Sequence, residues 1–154
     1  MRNSTIVFSC LLLATGLFGC ANVSTAPVEL DAAAKDFEPA DGKGVVYLYR
    51  PGRAVGVAMQ MQVTVNGDSA GGTGPGTYFR FDLLPGSYTL MSSSPESSAT
   101  VQVQVEAGRM YFVEQQTRLG LQSARVTMRT VDTTTGMAGV RGARLLVSGY
   151  QPRE

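Results

Sequence analysis

From Met59 to Val65 apolar and polar residues alternate without a break: Met59, Met61, Val63 and Val65 stand against Gln60, Gln62 and Thr64. A period of two buries one set and wets the other, which is the pattern of a half-buried β-strand. Asn66-Gly67 follows at once. Both residues accept positive φ, and between apolar strands this pair is the strongest short hairpin signal. A chain that doubles back here needs a sheet around it.

The remaining sequence supplies one. Val45-Val46-Tyr47-Leu48-Tyr49 is β-branched and aromatic without alternation, as expected of a central strand covered on both faces, and Pro51-Gly52 ends it. After the hairpin, Ser69–Gly72 leads into Gly74-Pro75-Gly76, where Gly71, Gly72, Gly74 and Gly76 read as a flexible tip. No helix and no Lys-Ser/Thr follow these glycines, so they are not a phosphate loop. Phe79, Phe81 and Leu83 form the apolar side of the next strand, and Leu84-Pro85-Gly86 turns the chain into Ser87–Ser92. Val101, Val103 and Val105 alternate with Gln102 and Gln104; Ala107-Gly108 turns again into Arg109–Gln115. Arg125–Val131 is a further strand, Thr133–Gly142 a loop, and Ala143–Tyr150 a closing strand. No internal repeat occurs, and no stretch after residue 19 sustains a helical period. Seven or eight short strands punctuated by turns predict an all-β, antiparallel sandwich or barrel-like domain over residues 42–150, with 151–154 a tail. A domain of roughly 110 residues buries enough surface to hold without disulfides.

The first forty residues are of another kind. Arg2 precedes an almost wholly apolar run from Ile6 to Phe18. As a helix this run covers roughly 20 Å. A bilayer core is about 30 Å thick, so the run is short for a span and fits the apolar core of a signal peptide. Leu17-Phe18-Gly19-Cys20 closes it and resembles the lipobox of bacterial lipoproteins, although Phe18 is bulkier than most lipoboxes carry. That resemblance implies cleavage between Gly19 and Cys20 and acylation of Cys20. The alternatives are an ordinary secretory signal cut elsewhere, or an uncleaved anchor helix. Cysteine usage favours acylation: Cys10 leaves with residues 1–19, and Cys20 is then the sole thiol of an exported chain. One acyl chain binds membranes reversibly and two or more hold stably; the lipoprotein resemblance implies a diacylglycerol plus an N-acyl chain such as palmitate. Ala21 stands where Asp retains enteric lipoproteins in the inner membrane, so the resemblance implies the outer membrane, facing the periplasm. Residues 20–41, rich in Ala, Ser, Thr, Pro and acids, read as the lipidated N-terminus and a flexible tether. Its r.m.s. span is about 25 Å. Ala32-Ala33-Ala34 favours a brief helix around Leu30–Phe37.

Charge and missing residue types narrow the function. The chain has 13 Lys+Arg and 12 Asp+Glu; loss of residues 1–19 removes Arg2 and no acid, leaving 12 of each. A neutral mature chain is a poor match for nucleic acid or a polybasic membrane patch. There is no His and no Trp, so nucleophile mechanisms that rely on His are excluded, together with the commonest metal ligand. No metal or cofactor site is expected, and no catalytic one. Tyr47, Tyr49, Tyr78 and Tyr111 are candidates for a glycan-binding platform; the alternative is core and sheet-face packing. Arg50, Arg53, Arg80, Arg118, Arg125 and Arg129 are candidates for an anion-binding groove; the alternative is solvated strand faces paired with Asp82 or Glu114. Tyr49, Arg50, Arg80 and Arg118 are the residues expected to form a ligand face. Asp82 and Glu114 lack any spacing that marks an acid/base pair.

The order of motifs carries a second resemblance. Val45–Pro51, Val63-Thr64-Val65-Asn66-Gly67, Thr77-Tyr78-Phe79, Leu84-Pro85-Gly86-Ser87-Tyr88-Thr89-Leu90 and Ala107-Gly108-Arg109-Met110-Tyr111-Phe112-Val113 together resemble a bacterial lipoprotein family defined as domain of unknown function 2846. Asn66–Leu90 also resembles the small β-modules of the PEGA type. The resemblance implies a lipidated β-domain in the cell envelope and supplies no catalytic residues. The expectation is a membrane-anchored, non-enzymatic module that binds an envelope protein or supports an assembly, or else a peptidoglycan-binding module.

Overall fold

Strand β1 (Gly44–Arg50) is buried along its whole length, and the molecule is arranged to bury it. The computed structural model describes residues 23–52 and 59–152; the leader, Gly19, Cys20 and Arg53 lie outside them. β1 pairs antiparallel with β4 (Thr77–Leu83) and parallel with β7 (Met110–Leu119). β8 (Ala124–Val131) joins β7, and the two-residue β9 (Arg144–Leu145) joins β4 in parallel. The result is a five-stranded sheet, β8-β7-β1-β4-β9.

The second sheet, β3-β2-β5-β6, is antiparallel: β2 (Met61–Val65), β3 (Asp68–Thr73), β5 (Gly86–Ser93) and β6 (Ser98–Val105). Asn66 (φ 51) and Gly67 (φ 87) make the tight β2–β3 turn, as the dipeptide predicts. The two sheets stack as a β-sandwich. Val46, Leu48, Val63, Val65, Phe79, Phe81, Leu90, Val103 and Val113 fill the space between them, each taken from the apolar register of its strand.

Two helices give β1 its second cover. α1 (Val28–Ala34) and α2 (Thr133–Arg141) lie on the outer face of the five-stranded sheet. There Ala34, Phe37 and Val140 pack with Val45, Tyr47, Tyr49, Tyr78 and Phe112. Tyr47 stacks on Phe112 with ring centroids 5.2 Å apart, and Phe37 leans on both rings. This second apolar layer explains why β1 shows no alternation.

Several expectations are corrected. The stretch read as a tether is part of the domain from Val23 onward. Thr25 bridges Leu146, the Ala26 amide donates to the Leu145 carbonyl at 2.8 Å, and Phe37 is only 5 % exposed. Asp31 is the fastener: its carboxylate accepts from Lys35 Nζ (2.7 Å), Tyr78 Oη (2.9 Å) and the Leu145 amide (2.9 Å). Burial pulls this carboxyl up, but those donors outweigh it and hold it below its ordinary value. The helix there is Val28–Ala34, starting and ending earlier than expected.

The segment Thr133–Gly142 is helix α2, not a loop. The Asp132 carboxylate caps it by accepting from the Thr135 amide at 2.9 Å. A β-carbon at Gly136 would overlap the Phe112 ring and one at Gly139 the Tyr49 ring, so glycine here permits close helix–sheet contact. Finally, Gly71 and Gly72 belong to strand β3 rather than a flexible tip, and the five-stranded sheet is mixed rather than antiparallel, because β1 pairs with β7, and β4 with β9, in parallel.

Candidate functional site

Four connections gather at one end of the sandwich. Arg50 at the end of β1 stands opposite Thr77 at the start of β4, and Met61 opposite Thr73. Ser93 stands opposite Ser98. The β1–β2, β3–β4, β5–β6 and β7–β8 connections therefore share this end. β7 does not stop there. It pairs with β1 only as far as Glu114 opposite Tyr49, then continues through Leu119 paired with β8 alone. The hairpin thus overhangs the end of β1 by about 13 Å, from four residues beyond the level of Arg50 at about 3.3 Å each.

Apolar residues occupy the tip of this overhang. Leu119 is 73 % and Leu121 91 % exposed. Arg118 and Arg125 face each other across the hairpin immediately behind them. The tip is fixed in place by Glu96 of the β5–β6 connection. Its carboxylate accepts from the backbone amides of Leu121 (3.2 Å), Gln122 (2.6 Å) and Ser123, and from Arg125 Nε at 3.4 Å. The Gln122 amide above all, with the Ser123 and Leu121 amides and Arg125, holds the Glu96 carboxyl below its ordinary value against the opposing effect of desolvation. Ser97 Oγ accepts from the Val126 amide at 2.9 Å, tying β8 to the opposite sheet. Met61, Ala124 and Val126 pack beneath.

Below the tip lies a buried polar row. Thr73 Oγ1 donates to Gln115 Oε1 at 2.5 Å, and Gln115 Nε2 donates to Ser92 Oγ at 2.5 Å. Arg50 Nη1 donates to the Met59 and Thr73 carbonyls at 2.7 and 3.3 Å. Burial alone lowers the Arg50 pKa. These bonds cross between the sheets and fix their relative position.

The expected ligand face does not assemble. Tyr49 is buried against α2, and burial, then Glu114, pushes its phenol up to about 12. Arg50 lies in the interior. Arg118 stands at the exposed hairpin. Arg80 donates through Nε and Nη2 to Asp82 (3.0 and 2.8 Å) and through Nη2 to the Glu38 carbonyl at 2.8 Å. Burial alone would lower its pKa; the bonds to Asp82 outweigh that and raise it. Arg80 lines two shallow depressions of about 320 and 270 Å³ shared with Asp82 and Ser148. The aromatic platform is likewise absent, because Tyr47 and Tyr78 are core residues along with Tyr49. Asp82 pairs with Arg80, and Glu114 with Arg129 at 2.5 Å across β7–β8, so the two carboxylates serve separate ion pairs. Among the described residues no group of three or more His, Cys, Asp or Glu could hold a metal ion, and no helix is long and apolar enough to cross a membrane.

Sequence reasoning missed Leu119, Leu121 and Glu96. The signal was there: Leu119-Gly120-Leu121 puts two leucines where turn chemistry calls for polar residues.

Residues 40–128 match the family model for DUF2846, described as a protein of unknown function. The chain is also similar to an uncharacterized protein of Haemophilus influenzae strain Rd, at 26% identity over 133 residues, covering 86% of this chain and 79% of the relative. The matched span runs from just before β1 into β8, taking in the core of both sheets, and the chain belongs to the DUF2846 family.

Proposed function

We propose that this protein is an envelope lipoprotein, anchored through Cys20 and facing the periplasm at the outer membrane, whose β-sandwich is a non-catalytic binding or assembly module. The observation that carries this reading is the placement of Leu17-Phe18-Gly19-Cys20. It ends an apolar run of signal-peptide length, and Cys20 is then the only cysteine left in the mature chain. The engagement of Asp82, Glu114 and Asp31 by structural partners supports a scaffold over an enzyme. Intact mass of the protein purified from membranes tests the anchor. Loss of residues 1–19 with added acyl mass is expected, and Cys20→Ser is expected to release the protein from the membrane fraction. A parent chain without acyl mass, or a Cys20→Ser variant that still pellets with membranes, refutes the anchor. Crosslinking in intact envelopes tests the binding role, and a chain that crosslinks to no protein under any growth condition refutes it. The glycan reading has lost its tyrosine platform; sedimentation with purified sacculi is its direct test.

A further inference from the structure

The first described residue after the proposed anchor reaches the end of the fold at which the hairpin overhangs. Val23 is the first described residue, and its Cγ2 lies 3.6 Å from where a β-carbon at Gly74 would sit. Gly74 belongs to the β3–β4 connection, one of the four at the end where β7 and β8 overhang. Ser24 is already held, its carbonyl accepting from the Val147 amide at 2.9 Å. Only Ala21 and Asn22 separate Cys20 from Val23. Three Cα–Cα steps reach at most about 11 Å. An acylated Cys20 therefore holds the part of the sandwich around Val23 and Gly74 close to the bilayer.

The hairpin is built to meet what it finds there. Leu119 and Leu121 are the exposed apolar residues of the tip, and Arg118 and Arg125 stand behind them, at the depth where phosphates would lie. The three backbone amides that a turn would otherwise present to the bilayer are occupied by Glu96. That removes the main polar cost of placing a turn among lipid headgroups, and it holds the leucines in a fixed position.

We propose that the Leu119–Leu121 tip is a membrane contact, a second, non-covalent foothold that sets the orientation of the anchored domain on the lipid surface. This inference rests on acylation of Cys20. The test uses the full chain, processed in cells and reconstituted into vesicles of phosphatidylethanolamine and phosphatidylglycerol. An environment-sensitive dye is carried at Leu121→Cys or, for comparison, at Ser87→Cys at the far end. Dye at 121 shows blue-shifted emission and is quenched by nitroxide-labelled lipid, while dye at 87 shows neither. Because the label alters the tip, amide exchange of unlabelled protein is read in parallel. Residues 119–122 exchange more slowly on vesicles than in detergent-free buffer, and Leu119→Ser/Leu121→Ser abolishes the difference. An acylated chain that floats with the vesicles while residue 121 stays in water and exchange is unchanged overturns the contact and leaves the anchor standing. A chain without acyl mass at Cys20 overturns both. Protection that appears only on adding envelope proteins assigns the tip to a protein partner and overturns the contact.

Discussion

Phe37→Ala asks whether the segment before β1 is tether or fold. The ring is 5 % exposed and lies 5.4 Å from Tyr47 and 6.1 Å from Phe112, with the Arg141 guanidinium 5.2 Å from its centroid. Its backbone sits at φ 60, a strained position for a bulky residue that burial of the ring sustains. Truncating a core phenylalanine to alanine costs about 3–5 kcal/mol. The site lies at the helix–sheet boundary, where α1 and α2 can settle inward, so the low end applies. A loss of about 3 kcal/mol corresponds to a fall in Tm of roughly 10 °C for a domain of this size. Urea denaturation and calorimetry of the mature chain measure both. A change below about 0.5 kcal/mol, the level of an ordinary surface substitution, would refute the placement of residues 23–41 in the domain and restore the tether.

Three further outcomes follow from the same contacts. Gly136→Ala raises helix propensity by up to about 1 kcal/mol yet forces a methyl group into the Phe112 ring. The variant is expected to lose about 1–3 kcal/mol net, and a Tm above the parent's would refute the close packing of α2. Glu96 has a depressed folded-state pKa, so its contribution to the tip is present above its ordinary value of 4.5 and is lost as pH falls through the lowered one. Exchange at the Leu121–Ser123 amides should therefore accelerate with acidification beyond the intrinsic trend. Glu96→Gln should remove that dependence, and an unchanged pH profile in the variant would count against the clamp. Tyr47, Tyr49 and Tyr78 have raised pKa values, chiefly through burial. Their contribution to stability is full below about pH 10 and is lost as pH rises through the folded-state values. Phenolate absorbance should show these three ionising only with unfolding, and a Tyr49→Phe variant with a smaller pre-unfolding titration would contradict the burial of that ring.

Half-buried strands announce themselves by alternation, which is why β2, β4, β6 and the Asn66-Gly67 turn were legible residue by residue. β1 was legible for the opposite reason, since five apolar residues without a polar face demand two covers. The covers themselves were not. α2 is written Thr-Thr-Thr-Gly-Met-Ala-Gly, a composition with low helix propensity, and its stability comes from Asp132 and from contact with Phe112 and Tyr49. α1 makes one helical stretch of seven residues, too short to show a period. Missing the helical layer led to the misplaced ligand face. Once both faces of β1 are covered, Tyr49 and Arg50 have no solvent to reach, whereas Arg118, near the end of the overhanging β7, is exposed but stands apart from them.

The parallel pairings impose an order of events on the newborn chain. β1 emerges early, but its hydrogen-bonding partners are β4 and β7, and its outer cover includes α2. Thr25 finds Leu146 only when nearly the whole polypeptide exists. Contacts so distant along the chain are slow to form, because loop closure precedes any gain from burial. Until β4, β7 and α2 are all made, Val45–Tyr49 is an apolar ribbon with an edge or a face still open. Such a ribbon is the part of this molecule that a chaperone would have most reason to hold.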